Sequence, residues 1–252
     1  TIPEKKKREP RPYQSQAIQA FYDGKARGLN KMMIVLPTGA GKTFVFSLLA
    51  NEHLEQGKTV LIIAHRDELI FQAVGSLSEI IPRSKIGIVK AAQREREMPV
   101  IVASVASLAN KKQREKMPKF DLIIIDESHR SLARSYRGVI EELMKPGGAL
   151  LGVTATPKRA DGSALSQVYQ EIVFQMSLSD AIEQGWLSHL VCKRIKLKAN
   201  FDQLKLKGTT DGGRDFDATE GCTILDGEDW ERTITDAWIE NAKDRKTIGF
   251  LP

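Results

Sequence analysis

Cysteine is nearly absent from this 252-residue chain, which has only Cys192 and Cys222. Two thiols cannot build a disulfide framework, and neither they nor the four histidines stand at zinc-ligand spacing. No apolar run approaches the roughly 20 residues that a membrane span requires. No secretory signal pattern, internal repeat or nuclease constellation is visible. These absences argue against a disulfide-stapled secreted module, a zinc-built domain and a membrane partner. The expected setting is reducing and intracellular: cytoplasm or nucleoid, or nucleus or organelle in a eukaryote. What remains is an ordinary globular composition, 41% hydrophobic and 28% charged, large enough to bury one large core or two modest ones. A net charge of +6 permits a polyanionic partner, and lysines solvated on exposed helices explain it equally well.

The most informative stretch is Leu36-Pro37-Thr38-Gly39-Ala40-Gly41-Lys42-Thr43. An apolar run, Met32-Met33-Ile34-Val35, precedes it, and a helical pattern over 44–50 follows. A strand, a small-residue loop ending Gly-Lys-Thr and then a helix is the context of a phosphate-binding loop. Gly39 and Gly41 let backbone N–H groups converge on phosphate oxygens, and the helix N-terminus adds its positive dipole end. Lys42 neutralises the β- and γ-phosphates, and the Thr43 hydroxyl is a ligand for Mg²⁺. Leu36 stands where the general pattern has its first glycine. ATP and Mg²⁺ are the expected ligands.

Two further apolar runs end in polar motifs. Asp121-Leu122-Ile123-Ile124-Ile125 reads as a buried parallel strand and ends in Asp126-Glu127-Ser128-His129. An open α/β sheet places its ligands at the C-terminal ends of such strands. There Asp126 would hold Mg²⁺ through water, and Glu127 would orient and deprotonate the attacking water. Ala149-Leu150-Leu151-Gly152-Val153 leads into Thr154-Ala155-Thr156-Pro157. An acidic pair at one strand end arises easily by chance; three such motifs in this order do not.

Strands are expected at 32–36, 59–64, 85–89, 100–103, 122–126 and 150–154, with helices at 14–27, 42–56, 67–80 and 136–144. This alternation implies a doubly wound, mostly parallel sheet with helices on both faces. Pro146-Gly147-Gly148 reads as a breaker before the strand carrying Thr154. Residues 191–197 read as one more strand, 200–229 as a linker with little fixed structure, and 230–242 as a helix with Ile234, Trp238 and Ala242 on one face. Trp186, Trp230 and Trp238 are expected in cores rather than as stacking platforms.

With these motifs in place, the chain resembles the first motor domain of superfamily 2 helicases and translocases. The Asp-Glu-Ser-His and Thr-Ala-Thr-Pro boxes are similar to the DExH branch rather than to DEAD-box RNA helicases. The resemblance covers almost the whole chain. Arg11-Pro12-Tyr13-Gln14 is similar to the adenine-reading segment, Ala64-His65-Arg66-Asp67-Glu68-Leu69 to motif Ia, and Ala103-Ser104-Val105-Ala106-Ser107-Leu108 to motif Ib. Lys158-Arg159-Ala160-Asp161-Gly162 and Ile182-Glu183-Gln184-Gly185-Trp186-Leu187 are similar to the group of RadD-type repair helicases and restriction-enzyme motor subunits.

The resemblance implies a P-loop RecA-like domain and an ATP-dependent nucleic-acid motor, with DNA favoured over RNA and DNA repair among its settings. It assigns Arg11 and Gln14 to the nucleotide, and gives His129 a relay from the γ-phosphate to Thr154 and Thr156. It assigns His65, Arg66, Ser104 and Ser107 to the strand, although serines at such junctions are often only helix caps. The implied layout is a basic arm at 1–10, the ATP-binding domain at 11–199, a linker and helix at 200–244, and the start of a second RecA-like domain at 245–252. That second domain would supply an arginine finger, so the sequence reads as an excerpt of a larger motor. Two other classes stay open: a motor subunit of a restriction system, and an ATP-switched nucleic-acid clamp without unwinding.

Overall fold

Short β-branched runs separated by amphipathic helices wind a sheet whose two faces are both buried. The computed structural model describes residues 9–64, 67–90, 93–128, 134–156, 167–194, 206–208, 214–216 and 230–248. The chain divides into two compact units, Thr1–His189 and Leu190–Pro252.

In the first unit the strands are β1 (Lys31–Val35), β2 (Val60–Ala64), β3 (Ile86–Lys90), β4 (Gln93–Arg94), β5 (Val100–Ser104), β6 (Phe120–Asp126), β7 (Met144–Thr154) and β8 (Glu171–Gln175). They form one sheet in the order β4-β3-β5-β2-β6-β7-β1-β8. All pairings are parallel except that of the two-residue β4 with β3. The helices are α1 (Pro12–Ala26), α2 (Lys42–Glu55), α3 (Asp67–Ser78), α4 (Val105–Ala109), α5 (Lys111–Arg114), α6 (Arg134–Leu143) and α7 (Leu178–Glu183).

Alternate side chains of each strand enter opposite cores. Met32, Ile34, Val60, Ile62 and Ile124 pack on one side with α1, α2 and α3. Met33, Val35, Leu61, Ile63 and Ile125 pack on the other with α4 and α6. Each fully buried isoleucine contributes about 1.5–3 kcal/mol, which is why continuous apolar runs suit the central strands of such a sheet.

The six strands expected between residues 32 and 154 are all present, most with ends displaced by a residue or two. The largest difference is β7, which starts at Met144 and runs through Pro146-Gly147-Gly148. Phe120 pairs with Met144 and Leu122 with Ala149, so the Pro-Gly-Gly segment forms a bulge within the strand, with Gly147 at φ 74°. Edge strand β8, beside β1, was not expected: its burial is partial and its sequence mixes polar ends with Ile172-Val173-Phe174.

In the second unit, Val191–Arg194 is irregular and exposed, not the opening of a strand; the rest of that expected strand lies outside the described residues. The segment expected to lack fixed structure contains an antiparallel pair, β9 (Leu206–Gly208) and β10 (Arg214–Phe216). Helix α8 (Trp230–Ala242) has the expected bounds, yet Ile234 and Trp238 are each 39% exposed. Trp238 is therefore not a core residue of this chain; its Nε1 donates to Thr247 Oγ1 at 2.8 Å.

Candidate active site

The phosphate-binding loop leaves β1 at its C-terminal end. Leu36 and Pro37 are buried, Thr38 and Gly39 are exposed, and Gly41, Lys42 and Thr43 are half-buried at the start of α2. Gly39 and Gly41 have φ of 86° and 80°, a left-handed backbone that glycine adopts without strain. Gly41 is also hemmed in: a Cβ there would stand 2.6 Å from Gln14 Nε2. No side chain caps the start of α2, which leaves that end of the helix suited to an anion.

A network from α1 holds the loop. The Tyr13 hydroxyl donates to Ala40 O at 2.7 Å, and Gln14 Nε2 donates to the same carbonyl at 3.0 Å. Gln14 Oε1 accepts from Arg11 N at 2.9 Å, so both halves of its amide are engaged by the protein. Arg11 lies with its guanidinium carbon 5.7 Å from the Trp186 ring and donates to Trp186 O at 3.3 Å. Trp186 is half-buried against the core and meets Tyr13 edge-on, with ring centroids 5.4 Å apart. Leu187 packs against the loop, its Cδ2 standing 3.3 Å from where a Gly39 Cβ would be. Sequence reading placed Arg11 and Gln14 beside the nucleotide and missed Tyr13 and Leu187. Both stand in segments quoted above, but neither was given a role there, because their partners lie 27 and about 150 residues away.

The acidic pair ends β6. Asp126 stands opposite Val153 of β7, while Val35 of β1 stands opposite Thr154 of the same strand. The carboxylates and the loop therefore emerge at one edge of the sheet, with the end of β7 between them. Burial, and then the charge of Glu127, hold Asp126 above the ordinary carboxylate value; the Glu127 amide and Lys42 pull the other way. Glu127 N donates to Asp126 Oδ1 at 3.0 Å. Glu127 is the one positive-φ residue other than glycine among the described residues, at 51°. Such backbone strain costs on the order of 1–3 kcal/mol and concentrates at functional sites.

Thr154 is fully buried, and its hydroxyl closes a turn with Thr156, donating to Thr156 O and accepting from Thr156 N, both at 3.2 Å. Leu36 N donates to Thr154 O at 3.0 Å, tying the root of the phosphate loop to that turn. Ser104 ends β5 and caps α4: its Oγ accepts from Ser107 N at 3.1 Å and donates to Ser107 Oγ at 2.9 Å. His65, Arg66 and His129 lie outside the described residues.

A cavity of about 980 Å³ opens at the opposite edge, where Thr59 and Pro99 precede β2 and β5, far from this chemistry. Among the described residues no three His, Cys, Asp or Glu side chains gather as a metal cluster, and no helix is long and apolar enough to cross a membrane.

The family model described as type III restriction enzyme, res subunit, matches residues 7–159. The putative ATP-dependent helicase IRC3 of Saccharomyces cerevisiae is 30% identical over 96% of this chain and 36% of its own length. The putative mitochondrial ATP-dependent helicase irc3 of Schizosaccharomyces pombe is 31% identical over 94% of this chain and 40% of its own length. The chain thus spans well under half of either relative. Among solved structures, UvsW helicase from bacteriophage T4 superposes with a TM-score of 0.57 at 22% identity, over 66% of this chain and 60% of that one. At that identity the likeness is one of fold.

Proposed function

This chain belongs to the family described as type III restriction enzyme, res subunit, and on that premise we propose that it is the first motor domain of an ATP-hydrolysing helicase or translocase acting on nucleic acid, DNA in preference to RNA. The carrying observation is the convergence of three loops at one sheet edge: the phosphate loop after β1, Asp126-Glu127 after β6 and the Thr154 turn after β7. The bond from Leu36 N to Thr154 O joins nucleotide site and turn directly.

Gly39, Ala40, Gly41, Lys42 and Thr43 cradle the phosphates, with Lys42 as the fixed positive charge. Arg11 and Gln14 take the base end, next to the loop they support. Glu127 accepts the proton of the attacking water, and its left-handed backbone sets where that carboxylate starts from. His129 relays the γ-phosphate state to Thr154 and Thr156.

Mg²⁺ fits the donor set. Asp126 carries a charge that burial penalises and a cation would relieve, and Thr43 offers a hydroxyl at the helix start. Two protein oxygens completed by phosphates and water are the habit of this ion. When bound, it would neutralise charge on the phosphates. The nucleic-acid backbone would be contacted at Ser104 and Ser107, where β5 passes into α4, and at His65 and Arg66, which follow β2 in the sequence. A second RecA-like domain of the same protein would complete the motor, and a reducing intracellular compartment suits its exposed free Cys192.

The family description also favours a second reading, a motor subunit of a restriction system in which translocation serves a nuclease. ATPase rates measured alone and with single-stranded DNA, duplex DNA and RNA test the proposal. Stimulation should be strongest with DNA, and Lys42→Ala should abolish nucleotide binding while leaving the fold intact, because the loop is a surface cradle. Unchanged nucleotide affinity and turnover in Lys42→Ala would overturn the site.

A further inference from the structure

One helix at the same sheet edge presents an aromatic ring outward. Ile70, Ala73, Val74 and Leu77 of α3 are buried against the sheet, whereas Phe71 is 53% exposed. A lone exposed phenylalanine is commonplace, but this one has specific surroundings. Lys90, the last residue of β3, holds its Nζ 4.8 Å from the ring centroid. Gly75, one turn along the same helix, has nothing within 4 Å of where a Cβ would stand, so the surface beside the ring is open.

The register places this corner in line with the strand-contact loops. Ala64 pairs with Ser104, and Ala103 pairs with Val89. Ala64, Ser104 and Lys90 therefore stand level at the C-terminal ends of three adjacent strands, about 4.8 Å apart from one to the next. His65 follows Ala64, and Ser104 ends its strand. The sheet order puts β2, β5 and β3 on one side of β6, with the phosphate loop's β1 on the other.

We infer that Phe71 and Lys90 form a base-stacking site for single-stranded nucleic acid, at the outer end of the backbone path over β2 and β5. The inference rests on the nucleic-acid motor reading above. A cation on one face of an aromatic ring leaves the other face for a base, and stacking of this kind is indifferent to sequence. Backbone contacts at Ser104 and His65 would grip the strand, and the ring would register the presence of a base. The Lys90 ammonium complements a phosphate next to the stacked nucleotide.

The test compares oligothymidine with an abasic oligonucleotide of equal length, by fluorescence anisotropy, in the wild-type chain, Phe71→Ala and Phe71→Trp. Wild type should bind the base-bearing oligonucleotide about tenfold more tightly than the abasic one. Phe71→Ala should lose that preference while its abasic affinity stays at the wild-type level. Phe71→Trp should keep the preference, with indole fluorescence quenched by oligothymidine and not by the abasic strand. An unchanged preference in Phe71→Ala would overturn the stacking site alone. Failure of the wild-type chain to bind either oligonucleotide would overturn the motor reading as well.

Discussion

Asp126 and Glu127 are adjacent carboxylates with separate proposed tasks, and the backbone turns sharply between them. Asp126 is held in place by accepting from the Glu127 amide, and burial acts on its charge first. Glu127 sits at φ 51°, turned away from the extended path of β6. On a straight strand the two carboxylates would point to opposite faces, so this turn is what lets the proposed base and metal ligand serve one site. Glu127→Gln should retain ATP and Mg²⁺ binding and lose hydrolysis by about 10²–10⁴-fold, because glutamine keeps the shape but takes no proton. Asp126→Asn should instead raise the Mg²⁺ concentration needed for half-maximal binding. Nucleotide-binding titrations across Mg²⁺ concentrations, paired with single-turnover hydrolysis, distinguish the two. Near-normal turnover in Glu127→Gln would remove it as the base.

Each strand that carries a motif has to start in the right register, and for β6 the anchor is Asp121. Its carboxylate accepts from Thr59 N at 2.8 Å, from Thr59 Oγ1 at 2.9 Å and from Lys145 Nζ at 2.8 Å, clamping the start of β2 and the bulged part of β7 to β6. Burial alone would raise this carboxyl; the bonds from Lys145 and Thr59 outweigh it and hold the group down at about 2. A carboxyl depressed in the fold stabilises fully above its unfolded value, near 3.9. That contribution is lost as the pH falls through the folded value. Asp121→Asn should therefore cost about 1–2 kcal/mol at pH 7, after allowance for solvent at the 40% exposed Lys145. The variant should also lose less stability than wild type between pH 4 and pH 2. Urea unfolding at several pH values checks both, and parallel acid profiles would dismiss the clamp. The central strands were legible in sequence because a strand buried on both faces must be apolar throughout, and Leu122-Ile123-Ile124-Ile125 has few other homes. Edge strand β8 was not, since one partner and partial burial leave its residues free to be mixed. The Pro-Gly-Gly breaker was seen but misjudged, because a bulge uses the same residues as a stop. Within the site, Lys42 and Asp126 followed from local motifs, whereas the hold of Tyr13 on Ala40 and of Leu187 beside Gly39 arises only when distant segments meet.

At the scale of the molecule, one sheet edge is proposed to serve two ligands. Strands β1, β7 and β6 end in groups for the nucleotide, while β2, β5 and β3 end where a nucleic-acid strand is proposed to run. A parallel sheet is stiff along its strands, so communication between the two halves has to pass through the loops at their ends. The shortest physical connection on the nucleotide side runs from Leu36 N to Thr154 O, and then through the Thr154 hydroxyl to Thr156. Both backbone and side chain of Thr154 are thus committed, one to the phosphate loop and one to the turn that follows β7. Coupling between two ligands is a free energy shared by both, so ATP must change strand affinity by the same factor as the strand changes ATP affinity. Thr154→Val keeps the branched shape and removes the hydroxyl, leaving the Leu36 bond to the carbonyl in place. Each ligand alone should bind the variant within about twofold of wild type, but the mutual factor, of the usual 5–150-fold range for such coupling, should shrink toward one. Anisotropy titrations of labelled oligothymidine with and without a non-hydrolysable ATP analogue, and the reciprocal nucleotide titrations, measure it from both sides. A variant that keeps the wild-type factor would show that the coupling bypasses this turn.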